Sequence, residues 1–265
     1  MKSLFTTVAI LATISAVSPA FAQEGSQLDV FATPYGTISV TDVSGDCTFW
    51  SQYHGSNGSV FDPDASLQCS ATVSVNDGWY GNLWVATDSK DGWMGGSEDV
   101  VDFGDEIDLT GGKTGTLAEV DYDIGVSYFY IDRPTADDGD VIQLYAKLSK
   151  SFTWGDTTVT PYVKLEQYLP TNGDLPLDGR MVRIGADVGG PLFGDFSYSV
   201  GGEIFHDDGA FGFDPGVLAF LNGKVAFATS DRSSVAVLVK YSTPISGAEG
   251  RQEELSFAAQ VATKF

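Results

Sequence analysis

The stretch Leu255-Ser-Phe-Ala-Ala-Gln-Val-Ala-Thr-Lys-Phe265 alternates along its length. Leu255, Phe257, Ala259, Val261 and Phe265 fall on one face, and Ser256, Ala258, Gln260, Ala262 and Lys264 on the other. A side-chain period of two is what a strand gives, because successive Cβ atoms point to opposite sides. The same alternation recurs upstream. Tyr122, Ile124, Val126, Tyr128 and Tyr130 share a face, and Val159, Val163 and Leu165 oppose Thr160, Tyr162, Lys164 and Glu166. A strand that ends on an outward Phe needs apolar surroundings. Hydrocarbon supplies them, provided the sheet closes on itself so that no edge leaves backbone N–H and C=O groups unpaired.

Turn signals divide the chain into about twelve such segments, at 36–50, 67–75, 79–86, 106–111, 120–131, 141–152, 158–169, 181–188, 196–205, 217–227, 235–241 and 255–265. Asp77-Gly78 marks a tight hairpin, and short turns at 112–115, 153–156, 189–195 and 228–234 alternate with longer polar loops. This rhythm predicts an all-β fold, a transmembrane antiparallel up-and-down β-barrel of about twelve strands with both termini on one side. In such barrels the short turns lie in the periplasm and the long loops outside. Barrels of eight strands are filled by side chains and those of 16 to 18 leave wide channels, so this one should pass only small or elongated solutes.

The chain start changes what counts as fold. Lys2, the apolar run 4–16 and Ala20-Phe21-Ala22 read as a secretory signal cleaved between Ala22 and Gln23, leaving residues 23–265 as one barrel domain. No window outside it approaches the ~20 apolar residues of a membrane helix. A formal charge of −22 and a pI near 4.1 exclude nucleic acid as a partner, since its phosphates would be repelled. Cys47 and Cys69 pass into an oxidising space and are expected to form a disulfide that ties the first long loop, stabilising it by about 3 kcal/mol. Asp88-Ser-Lys-Asp-Gly-Trp93 has a faint calcium-loop look, but Lys90 takes a ligand position. No metal and no cofactor are therefore expected.

Two family resemblances follow from particular residues. The terminal Phe265 resembles the assembly signal of Gram-negative outer-membrane barrels, which implies periplasmic chaperones and the barrel-assembly machinery as partners. Gly104-Asp-Glu-Ile-Asp-Leu-Thr-Gly-Gly112, followed by Val120-Asp-Tyr-Asp-Ile-Gly-Val-Ser-Tyr-Phe-Tyr-Ile-Asp132, resembles the core of the TorF-type putative porins. Asp77-Gly-Trp-Tyr-Gly-Asn-Leu-Trp-Val-Ala-Thr-Asp88 is similar to that family's preceding hairpin. The resemblance covers about residues 67–150. It implies a barrel in the cell outer membrane, among lipid and lipopolysaccharide, passing small solutes. The family's Phe-Arg-Gly after the first strand is absent, Phe49-Trp50-Ser51 standing there instead.

Strand parity assigns inward faces. Lys147, Lys164, Arg183, Lys224 and Lys240 point inward from the later segments, whereas Glu106, Asp108, Asp121 and Asp123 point inward from the fourth and fifth. Opposed charges across a narrow lumen set ion preference and orient dipolar solutes. Glu166, Asp187 and Glu203 sit among the bases, so the same residues are also consistent with a paired network that fills the barrel. Both readings make these twelve residues the candidate lining of a porin-like channel for passive diffusion of small polar or ionic solutes. A closed barrel acting as a surface anchor is an alternative. A further alternative is an esterase: His54-Gly-Ser-Asn-Gly58 resembles the His-x-Ser-Asn-Gly signature of outer-membrane phospholipase A, which would make His54 and Ser56 a base and a nucleophile.

Overall fold

The computed structural model describes residues 28–33, 36–88, 106–131, 140–171, 178–248 and 250–265. The predicted signal peptide and its Ala22–Gln23 cleavage site lie outside these, as do all of the acidic stretch 98–105 and the Lys90 loop after Asp88. A short strand β1 (Leu28–Thr33) runs back along the start of β2 (Gly36–Trp50), and β3 (Tyr53–His54) pairs with β4 (Val60–Asp62) inside the first long loop. The chain continues through β5 (Ser66–Val75), β6 (Trp79–Asp88), β7 (Glu106–Leu117), β8 (Val120–Ile131) and β9 (Val141–Ser149). After β10 (Phe152–Trp154) come β11 (Thr157–Pro170), β12 (Gly179–Pro191), β13 (Phe196–Asp207), β14 (Gly216–Ala228), β15 (Ser233–Gly247) and β16 (Glu254–Lys264).

The wall is an antiparallel meander of twelve strands, with β16 pairing back onto β2 and β2 onto β5, so the sheet has no open edge. Closure satisfies the backbone groups that hydrocarbon cannot. The four accessory strands, β1, β3, β4 and β10, lie off this ring, β10 prolonging the hairpin on β11. All twelve expected segments are present with their parity, short turns at one end and long loops at the other.

Alternation decides the faces. Val237 is 63% exposed and Ile184 67%, whereas Ser256, Ser242 and Arg183 are buried inside. Phe152, Trp154 and Phe193 stand exposed at the short-turn end, where amphipathic rings form the interfacial belt of a membrane barrel.

One turn differs from the sequence reading. The 112–115 segment is not a turn: β7 runs through it to Leu117, and the reversal comes at Ala118 and Glu119, both left-handed (φ 49° and 66°). The glycines serve a different purpose. A Cβ on Gly112 would sit 2.5 Å from the Tyr80 ring and one on Gly115 2.4 Å from the Tyr122 hydroxyl, so these rings lie flat across the strand only because it carries no side chain there.

Cys47 and Cys69 are bonded and face one another across the β2–β5 pair, their Cα atoms 4.0 Å apart and 22 residues apart in sequence. Because Thr48, Trp50 and Gln68 are buried inside the barrel, the bridge occupies the alternate, outward face at the root of the first loop.

Arginine placed at Val237, or at Val163 on the same outward band, should destabilise the inserted barrel by ~2 to 4 kcal/mol if the site is near the midplane. Denaturant unfolding in lipid, followed by heat-modifiable gel migration, measures this, and wild-type midpoints for both variants would refute the face assignment.

Candidate pore and the loop that narrows it

The interior of the barrel is unequally filled. Towards the long-loop end, Val141, Tyr168, Met181, Phe205, Leu218 and Phe220 pack with Ala210 and Ala248 into an apolar cluster. These side chains come from the inward faces of β9 and β11 to β14 and from the loops above them. The turn Ala210–Gly212 carries Phe211 down onto Tyr168, ring centroids 4.8 Å apart.

Beneath that cluster lies the charge network that parity predicts. Glu166, nearly fully buried, accepts from Arg183 Nε and pairs with Lys164 Nζ at 2.7 Å; Arg183 Nη1 donates to Glu203 at 2.6 Å. Glu203 also accepts from the Tyr162 hydroxyl at 2.7 Å. Lys147 lies 4.2 Å over the Tyr162 ring and opposite Asp123 in register. Lys224 donates to Gln260 at 2.7 Å, Lys240 rests 4.2 Å over Trp50, and Asp187 pairs in register with Thr160 and Gly201. Asp121 is exposed at the short-turn rim, held by Thr116. Buried pairs of this kind fix geometry more than they add stability, yet removing one partner strands the other charge.

The first long loop folds into the barrel, which sequence reading leaves undetermined. His54 is 1% exposed, its Nδ1 2.8 Å from Ser256 Oγ and its Nε2 3.0 Å from Ser242 Oγ. Ser242 gives its proton to the Gly58 carbonyl, so Nε2–H must donate to Ser242 and Nδ1 must accept from Ser256: a neutral imidazole of defined tautomer. Gly58 adopts φ +78° and a Cβ there would come within 3.2 Å of Ser242, so the turn needs glycine. Further anchors hold the same loop. Tyr53 donates to Glu106; Arg251 donates to the Asn57 carbonyl at 3.0 Å and pairs with Asp207, which in turn accepts from the backbone N–H of Gly209 and Ala210.

Among the described residues, two cavities lie against the β5–β8 side. One, about 380 Å³, lies under the inserted loop and is lined by Tyr53, Trp84, Glu106, Asp108, Lys164 and Lys240 among others. The second, about 660 Å³, opens at the short-turn end beside Asp77, Tyr80 and Asp123. Asn82 and Thr110 line both. Half of the predicted lining residues thus border these cavities: Glu106, Asp108, Asp123, Lys164, Glu166 and Lys240. Arg183, Glu203, Lys147, Lys224, Asp187 and Asp121 are spent in the network or at the rim.

His54 and Ser56 are not brought together. Both imidazole nitrogens are taken by Ser256 and Ser242, while Ser56 is exposed. Sequence reading also leaves Tyr53, Phe61 and Phe211 unassigned. Aromatic residues inside otherwise polar loops were the available signal.

No family model matches the sequence, and no curated protein matches it. Among solved structures, a NanC porin aligns at TM-score 0.55 and 10% identity, over 84% of this chain and all of that one. A bacterial polysaccharide outer-membrane secretin aligns at 0.53 and 7%, over 84% and 97%. The KdgM porin, in complex with disordered oligogalacturonate, aligns at 0.48 and 8%, over 85% and 98%. The chain shares its closed β-barrel fold with these outer-membrane proteins. At these identities the likeness concerns architecture, and the interior chemistry belongs to this sequence.

Burial, and then the Lys240 ammonium, push the His54 imidazole down from its ordinary 6.5 to about 4, the backbone contact with Gly58 acting in the opposite sense. A withdrawn loop binds its proton nearer 6.5, so insertion is fully stable above that value and weakens as pH falls from about 6.5 to about 4. Hydrogen exchange of residues 51–65 should accelerate across that window in wild type and lose this pH dependence in His54→Gln; equal pH dependence in both would exclude His54 as the titrating anchor.

Proposed function

We propose that this chain is an outer-membrane porin-like channel for passive diffusion of small polar or ionic solutes. The supporting observation is the pair of cavities that share Asn82 and Thr110 in their linings along the β5–β8 side, within a closed barrel whose outer face is apolar. The inserted first loop keeps the passage narrow. Asp77 and Asp123 at the short-turn mouth and Glu106 and Asp108 deeper in give that route an acidic wall, which favours cations.

On this reading residues 1–22 direct export, Phe265 serves assembly through periplasmic chaperones and the barrel-assembly machinery, and the acidic loops meet lipopolysaccharide through divalent ions. The TorF-type resemblance assigns the chain to a porin subgroup. No covalent step is required of any residue, and the engagement of His54 by Ser242 and Ser256 speaks against a Ser56 hydrolase.

Refolded protein in a planar bilayer under a salt gradient should give discrete conductance steps and a cation-favouring reversal potential. Asp123→Lys should shift that potential towards anion preference. Absence of steps from protein shown to be folded would favour the closed-barrel anchor, and an unchanged potential in the variant would place Asp123 off the path.

A further inference from the structure

The chamber under the first loop contains more unsatisfied polarity than a simple conduit needs. Asp108 Oδ1 is buried without a hydrogen-bond partner, while Asp108 and Glu106, two residues apart on one strand face, are like charges held together by a side-chain hydrogen bond between them. Among the described residues no Lys or Arg forms an ion pair with either.

A second observation is independent of the acids. Gln68, on the neighbouring part of the wall, is 8% exposed, lines the same chamber, and its Nε2 has no partner. Register explains the hollow between them. Gln68 stands opposite Ala86, and Ala86 opposite Glu106, so a methyl group separates an amide from a carboxylate. Trp84 stands opposite Asp108 in the next row, with the Tyr53 ring 6.1 Å from it.

The kind of occupant follows from size and lining. An inorganic cation needs little of about 380 Å³, and among the described residues no group of three or more His, Cys, Asp or Glu side chains could hold a metal. Aromatic faces beside carboxylates suit an ammonium group on a carbon frame, because the ring quadrupole attracts cations and the ring also covers the attached methylenes. Across the chamber Lys164 and Lys240 face this wall, so an occupant with an anionic far end is accommodated as well.

We propose that this chamber is a binding subsite for small organic ammonium solutes: the ammonium sits at Asp108 and Glu106 against Trp84 and Tyr53, and the polar remainder of the solute accepts from Gln68. This deepens the channel reading by naming the class of solute that lingers in the passage.

Isothermal titration of the detergent-solubilised, refolded barrel in constant KCl tests it with ethylammonium, γ-aminobutyrate and butyrate. Ethylammonium and γ-aminobutyrate should bind saturably and butyrate should not. Asp108→Asn should weaken both by about tenfold or more, the effect of removing a charged hydrogen-bond acceptor. Gln68→Leu should weaken γ-aminobutyrate and leave ethylammonium unchanged. Butyrate binding equal to that of γ-aminobutyrate, no saturable binding by any probe, or wild-type binding in a folded Asp108→Asn variant would overturn the subsite. So would saturation by KCl alone with no further heat from ethylammonium, which would assign the carboxylates to an inorganic cation. If Asp108→Asn fails to fold, the wild-type comparison of the three probes still decides. Binding without conductance would defeat the channel reading alone, and conductance without binding the subsite alone.

Discussion

A β-sheet can stand in hydrocarbon only when its first and last strands meet, because each unpaired backbone group there costs several kcal/mol. In this chain the meeting place is the β16–β2–β5 seam, and it is secured from three directions. The backbone pairs run from Ala258–Trp50 to Lys264–Ser44, and the Phe265 N–H donates to the Val43 carbonyl at 2.8 Å. Inside, Gln260 donates to Asp46 and Thr48, both at 3.0 Å, and Ser70 donates to Asp46 at 2.7 Å, so one polar chain crosses all three strands. On the outward face the Cys47–Cys69 bridge joins β2 to β5. Closure then fixes parity around the whole ring, and parity determines which side chains meet lipid and which meet one another.

What meets inside is uneven. Bases from β9 to β15 are largely neutralised by Glu166 and Glu203 or laid on aromatic rings, and an apolar cluster sits above them. The β5–β8 half carries smaller residues, hydroxyls and carboxylates, with Tyr80 and Tyr122 lying flat over glycines. The inserted loop takes up part of the remaining space and leaves the rest along the acidic side. On the proposed reading, filling and passage fall to different halves of one lumen, where sequence alone leaves them as competing readings.

The fold was legible because a period of two is a local property: each segment can be read without knowing its neighbours. The inward charges were legible for the same reason. Contacts across the lumen were not, since nothing in Tyr53, His54 or Phe61 states that Glu106, Ser256 or Phe211 will lie opposite, 53, 202 and 150 positions away. The β7 turn was misplaced for a different reason. Glycine is read as a turn former, but Gly112 and Gly115 make room for rings, whereas Ala118 and Glu119, which do turn, carry no turn signature. The resemblance of His54-Gly-Ser-Asn-Gly58 to a lipase signature was local as well, and the long-range partners Ser242 and Ser256 give the histidine another use.

That solutes pass through the lumen beside the inserted loop is the central claim, and proteoliposome swelling tests it most directly. Vesicles carrying the refolded barrel, diluted into isotonic single-ring and three-ring sugars, should swell in the first and hardly in the second. No swelling in either, or equal swelling in both, would contradict a narrow open passage.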